Sequence, residues 1–437
     1  MKHNTITTLG ELKPFLVLWI TQSFSALGSS MTSFALIIWL YEKSGSALST
    51  ALLSVCSYAP YILLSIFAGA LSDRWNKKTT MLVCDTLAAI CSGLLLFLLK
   101  TESLQIWHLY ALNIVTGTMN TVQQPASEVA ASLLAPRKHY QRVSGLKSFS
   151  NALVTVLTPM FATALLAFKG MDTVVLFDLM TFFTAFLTLI FCIKIPKQAI
   201  DDTTEKDSIT VSAKKGIAYL LKNRGILDLI LFLAAINLTA SIYNSALPAM
   251  ILSRNGGSRT SLGLVTMVTG LATLAGSILA SLAPKPKSRV KTIWLSLLFS
   301  MSSENFFLAF GKTVPFWCFG AIMGWVAIPL MSTNLDAIMR LHIPVEMQGR
   351  VYATRNTLQF FTIPVGYLLG GFLVDRVFEP FAKTQLANHF FLLAFGSGKG
   401  SGAAFLFAIL GFLGIATCLV FGKDPHIWDL EKETIAE

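Results

Sequence analysis

Twelve apolar stretches, parted by short polar turns, run through this chain of 437 residues. The first six lie at Pro14–Leu40, Leu48–Leu71, Thr79–Leu99, Leu104–Pro125, Val143–Phe168 and Thr173–Ile193. The last six lie at Leu227–Leu252, Leu262–Ala283, Val290–Phe310, Val314–Ile338, Val351–Val374 and Gly402–Phe421. Each exceeds about 18 residues, enough for a helix to cross roughly 30 Å of hydrocarbon. Membrane-spanning strands would be about ten residues long and alternating, which these runs are not. A helix satisfies its backbone polar groups internally, as lipid requires. The pattern therefore predicts an all-α polytopic membrane protein with twelve transmembrane helices in two six-helix bundles. Residues 1–193 form the N-terminal bundle, 194–225 a cytoplasmic central loop and 226–437 the C-terminal bundle. Pro159, Pro329 and Pro364 lie inside spans and are expected to kink or interrupt them. The outer loop Asp375–Ser401 carries a short apolar piece, His389–Phe395, expected to lie at the interface or pack over the outer mouth, with a re-entrant helix as the alternative.

Composition sharpens this picture. Only 13% of residues are charged and 54% are hydrophobic, whereas soluble domains carry about 25% charged residues. The formal charge of +11 is explained by where it falls. With the N-terminus in the cytoplasm, Lys43, Lys100, Lys169, Arg254, Arg259, Lys312, Arg376, Lys383 and Lys399 face outward. The rest of the 34 Lys and Arg gather on the cytoplasmic side, as the positive-inside rule requires. Both termini are thus expected in the cytoplasm of a bacterial-type plasma membrane. The basic face suits membrane lipids rather than nucleic acid. Met1–Leu12 lacks a signal-peptide cleavage pattern. The six cysteines have neither zinc nor disulfide spacing, and the six histidines form no ligand cluster. No zinc-hydrolase or phosphate-loop motif appears, so neither an enzyme nor a metal site is expected.

An acid inside the membrane is costly unless it meets protein or water, which makes it a functional candidate. Asp85, Asp178 and Glu304 qualify as coupling candidates. Asp85 sits near the cytoplasmic side of the third span, where a rim cation is the alternative partner. Asp178 lies toward the outer end of the sixth, where water could reach it. Glu304 lies roughly 21 Å along the ninth span from Val290, at about 1.5 Å per residue. Facing a cavity, it would bind a cation or exchange a proton; otherwise it makes a structural hydrogen bond.

Between the second and third spans, Gly69–Lys78 reads GALSDRWNKK. Gly69 permits close helix approach, Asp73 accepts hydrogen bonds or pairs with a cation, and Arg74 and Lys78 anchor the rim. Such a turn is either a lock that breaks when two bundles rock or an ordinary basic loop. At Gly69, Asp73, Arg74 and Lys78 it resembles the signature loop of the major facilitator superfamily. Glu42-Lys43-Ser44-Gly45-Ser46, Tyr58-Ala59-Pro60, Ile195-Pro196-Lys197 and Gly349-Arg350-Val351 resemble its macrolide-efflux branch.

That resemblance implies the major facilitator fold and a monomeric secondary exporter of small amphipathic or hydrophobic molecules, macrolide-like or multidrug. Alternating access is the implied mechanism, with no cofactor beyond a proton as candidate coupling ion. A facilitator or importer of a nutrient, siderophore or lipid-related solute is the alternative, and a non-transporting receptor a third. The first, fourth, seventh and tenth spans are implied to line the path. The resulting candidates are Gln22, Phe24, Asn113, Asn237, Tyr243, Asn244, Trp325 and Asn334. Amides and aromatics of this kind hold an amphipathic solute or join helices to each other. Asp336 and Arg350 are candidates for a second cytoplasmic gate, or belong to a solvated rim. Two departures stand out: the fourth span lacks the arginine that many proton-coupled members carry, and the fifth keeps Pro159 without glycines around it.

Overall fold

A computed structural model describes the backbone of residues 2–136, 139–196, 209–254, 256–385 and 389–435. Within these, the side chains of residues 2–10, 65–74, 141, 209–213, 345, 346, 348, 349, 353 and 432–435 lie outside the description. Every regular element among the described residues is helical. The first helices are α1 (Lys2–Ser44), α2 (Ala47–Arg74), α3 (Lys77–Lys100), α4 (Ile106–Leu134), α5 (Tyr140–Lys169) and α6 (Met171–Phe191). There follow α7 (Ile209–Lys222), α8 (Arg224–Ser253), α9 (Arg259–Leu282) and α10 (Arg289–Phe310). The tenth span is split into α11 (Val314–Trp325) and α12 (Ile328–His342). The eleventh comprises α13 (Val345–Phe360), α14 (Thr362–Phe372), a π-helical turn (Leu373–Phe378) and α15 (Glu379–Thr384). Last come α16 (His389–Phe395), α17 (Ser401–Phe421) and α18 (Pro425–Ile435).

Eleven stretches among the described residues are long and apolar enough to cross a membrane. The remaining expected span is α4, which is 29 residues long and runs on through Pro125 to Leu134. His108, Asn113, Gln123, Gln124 and Glu128 interrupt its apolar run.

Proline position explains the breaks. A proline lacks an N–H and its ring crowds the carbonyl four residues back. Trp325 and Phe360 stand four residues before Pro329 and Pro364, and there α11 and α13 end. Pro159, by contrast, lies inside an unbroken α5.

Packing divides the chain into two units, Met1–Leu40 with Leu53–Glu205, and Tyr41–Leu52 with Lys206–Glu437. In the first unit α3 packs on α4 and α6, and α5 on α6. Its core gathers Leu12, Phe15 and Leu18 from α1, Met81 from α3, Ala126 and Ala130 from α4, and Leu189 from α6. Alanines four apart keep one face of α4 low, so its neighbours approach closely.

In the second unit α8 is buried over most of its circumference and packs on α13, α14, α17 and α18. Gly366 and Gly370 permit this, since a Cβ on either would press on Leu238, Ser241, Ile242 or Ser245 of α8. Part of the polar central stretch is helical: α7 packs on α13, and Tyr219 donates to the His342 carbonyl at 2.7 Å. The expected outer loop also begins as helix, because the eleventh span continues through the π-helical turn into α15. Phe391 and Phe395 of α16 are buried against Phe381, Phe405 and Phe310.

Candidate functional site

Three intramembrane acids are buried, each held by neutral donors. In the second unit Glu304, 4% exposed, comes from the middle of α10. Tyr243 of α8 donates its hydroxyl to Glu304 Oε1 at 2.5 Å, and Trp325 donates its indole N–H to the same oxygen at 3.0 Å. Trp325 is the last residue of α11, so the break imposed by Pro329 lies beside this site. Oε2 and the side-chain stem lie against Gly324, where an added Cβ would overlap them. The Tyr243 ring meets Phe407 edge-on at 5.3 Å. Among the described contacts Glu304 meets no cation. Glu304, for which the sequence leaves both a cavity-facing role and a structural hydrogen bond open, is enclosed and joined to two of the aromatic path candidates.

The first unit holds the other two. Asp85, 7% exposed, accepts from the amides of Gln123 at 2.6 Å and Gln22 at 3.4 Å, one on each oxygen. The rim cation considered for Asp85 is not among its described partners; two amides occupy that place. Asp178, 4% exposed, accepts from Ser29 on Oδ1 at 2.9 Å and from Thr32 and Ser92 on Oδ2 at 3.2 and 3.0 Å. Gly28 makes room, because a Cβ there would press on Thr181 and Asp178. Both aspartates spread their acceptor bonds over two oxygens, whereas Glu304 receives both of its bonds on one.

The remaining candidates disperse. Phe24 is exposed and Asn244 is exposed on α8. The Asn113 amide donates to Leu109 in its own helix, and Asn237 to the Gln359 carbonyl at 3.3 Å. Asn334 is buried, donates to Leu330 and accepts from Arg289 at 3.5 Å. Lys78 donates to the carbonyls of Ile190 and Ile193 at 2.9 and 2.7 Å, satisfying orphan acceptors at the end of α6. The side chains of Gly69, Asp73 and Arg74 lie outside the described residues. Asp336 is exposed and acts electrostatically on Arg355, while Arg350 reaches Met347 Sδ at 3.7 Å.

Sequence reasoning missed a strap in the second unit. The turn between α1 and α2 belongs there, and Asp375 caps the start of α2. Its carboxylate accepts from Ser46 Oγ at 2.6 Å and from the backbone N–H groups of Ala47 and Leu48 at 2.9 Å each. Gly45 turns the chain at φ 62°, and its carbonyl accepts from Lys399 Nζ at 2.9 Å. Arg259 makes a two-pronged pair with Glu42 at 2.5 and 2.6 Å. Tyr41 and Ser253 share a hydrogen bond of 2.6 Å. Gly371 completes the seat, since a Cβ there would meet Leu48 Cα at 2.6 Å. The detectable signal was Glu42-Lys43-Ser44-Gly45-Ser46, with a serine just ahead of a helix start. Nearby Arg254 is buried and donates to the carbonyls of Leu308, Ala309 and Phe395. Burial lowers its guanidinium to about 10, so it stays cationic at neutral pH.

Long apolar helices with enclosed acids and proline-broken spans define a multi-pass membrane protein. The chain belongs to the Major Facilitator Superfamily, whose sequence pattern matches residues 18–366. Its relatives and structural neighbours are transporters, not enzymes. It is 22% identical over 383 residues to Macrolide efflux protein A of Streptococcus pyogenes, covering 87% of this chain and 92% of that one. It is also 22% identical to the uncharacterized MFS-type transporter YfiS of Bacillus subtilis, covering 84% and 88%. The crystal structure of a mutant of nucleoside transporter NupG superposes with a TM-score of 0.71 at 10% identity, covering 93% of this chain and 98% of that one. A bacterial homologue of the human lysosomal transporter Spinster gives 0.65 at 15% identity, covering 98% and 94%.

Proposed function

We propose that this protein is a secondary active exporter of small amphipathic molecules, macrolide-like or multidrug, in a bacterial plasma membrane with both termini cytoplasmic. It works by alternating access, and Glu304 carries the coupling proton. One observation carries the reading: a buried carboxylate with both described donors on Oε1. A proton can then enter at Oε2 without displacing Tyr243 or Trp325. At Asp85 or Asp178 the proton would instead go to an oxygen that already accepts a bond. An unpaired charge in hydrocarbon is costly, so a carboxyl that changes protonation as water reaches it links access to the proton gradient. Similarity to Macrolide efflux protein A along most of the chain supports export and the solute class.

The roles of the other positions follow from this cycle. Gln22, Phe24, Asn113, Asn237, Asn244 and Asn334 contribute solute contacts, with Tyr243 and Trp325 passing occupancy to Glu304. Gly69, Asp73, Arg74 and Lys78, together with Asp336 and Arg350, act at cytoplasmic gates. The strap on Asp375 releases and re-engages as access changes.

The test is export of a labelled macrolide from proteoliposomes under an imposed pH gradient. Gradient-driven release of the lumenal macrolide is expected. Macrolide movement that ignores the gradient would remove proton coupling, and uptake or passive equilibration would favour an importer or facilitator instead.

A further inference from the structure

Away from these sites, three side chains converge where two helices of the second unit begin. Asp228 lies in the first turns of α8, Asp424 precedes α18, and His426 is the second residue of α18. His426 Nδ1 stands 3.2 Å from Asp228 Oδ2 and 3.3 Å from Asp424 Oδ1. Asp424 Oδ1 also accepts from the His426 backbone N–H at 2.9 Å. One ligand atom from each of the three side chains can be chosen so that all lie within 4.8 Å of one another.

One imidazole nitrogen facing two carboxylates is poorly served by hydrogen bonding, since a single N–H points well at only one acceptor. Metal coordination uses the same spacing better. With bonds of about 2.1 Å, ligand atoms of an octahedral or tetrahedral ion lie about 3.0 to 3.4 Å apart. The two nitrogen–oxygen separations fall in that interval. Imidazole with two carboxylates suits borderline divalent ions such as Mn²⁺, Fe²⁺, Co²⁺ or Zn²⁺, and the lack of thiolate disfavours Cu(I). The His426 side chain is 55% exposed. It also lines a cleft of about 430 Å³ with Lys222, Arg224, His342 and Asp429. Solvent can therefore deliver an ion and fill the remaining coordination positions.

We infer that Asp228, Asp424 and His426 form a divalent transition-metal site that staples α18 to the start of α8. The staple adds to apolar contacts already present, for Ile427 and Leu430 of α18 lie in the core with Ile226 and Leu229 of α8.

The experiment uses the full-length protein in detergent, stripped with EDTA and titrated with Mn²⁺ or Zn²⁺. Expected results are one bound Mn²⁺ per chain by paramagnetic resonance and a thermal midpoint raised by a few degrees. Asp228→Asn and His426→Gln should each weaken binding about tenfold or more and abolish the shift, while Asp429→Asn in the same cleft keeps both. The metal-free midpoints of the variants show whether they are folded. No stoichiometric binding by the parent protein at millimolar metal, or binding that survives in both folded ligand variants, overturns the site.

Discussion

Glu304, Asp85 and Asp178 are all enclosed acids, but hydrogen-bond geometry separates their chemistry. Two donors converge on one oxygen of Glu304, whereas both oxygens of each aspartate accept bonds. Glu304→Gln keeps an acceptor for Tyr243 and Trp325 and removes the exchangeable proton. We expect solute binding within a few-fold of the parent, measured by ligand-induced thermal shift, and loss of pH-gradient-driven export in proteoliposomes. Intact gradient-driven export by this variant would assign coupling elsewhere, with Asp178 and Asp85 next to be substituted. Gly324→Ala tests the fit from the opposite helix. Its methyl would overlap Glu304 Oε2, and overpacking of this kind costs about 1–3 kcal/mol. The thermal midpoint should fall, and more than it does for alanine at Gly93, where a Cβ meets nothing within 4 Å.

At the scale of elements, the strap between α1 and α2 is held in part by polar bonds that can be made and broken. Asp375 supplies three acceptor bonds to the start of α2, and loss of such a cap typically costs about 0.5–2 kcal/mol. The half-exposed Glu42–Arg259 pair adds less, since pairs open to solvent are worth about 0–1 kcal/mol. In a cysteine-free background, Asp375→Ala should speed thiol labelling of a cysteine placed at Ala47 several-fold. An unchanged rate would mean that Asp375 does not hold the strap. The π-helical turn bearing Asp375 follows an uninterrupted apolar run, Thr362–Phe372. Hydrophobic patterning therefore read the region after Val374 as loop. A carboxylate that caps another helix has no local periodicity to reveal it.

For the whole molecule, orientation is the remaining expectation with a direct test. Tags at both ends should react with impermeant reagent only in inverted vesicles or permeabilised cells; labelling of intact cells would reverse the topology. Lys and Arg distribution supplies that expectation because it is a bulk property of loops. The number and length of the apolar runs were readable for a similar reason. Crossing hydrocarbon constrains each stretch locally, and a helix closes its own hydrogen bonds. Candidate acids were readable too, since any charge inside such a run stands out. Which donors surround them was not. Glu304 meets Tyr243 and Trp325 across 61 and 21 positions, and Asp375 reaches Ser46 across 329. Sequence alone determined that this protein is a bundle of membrane helices carrying three costly acids. Tertiary packing decided which oxygen of each acid is occupied, and where the turn between α1 and α2 docks, because hydrogen bonds between distant helices depend on side chains meeting in space rather than on spacing along the chain.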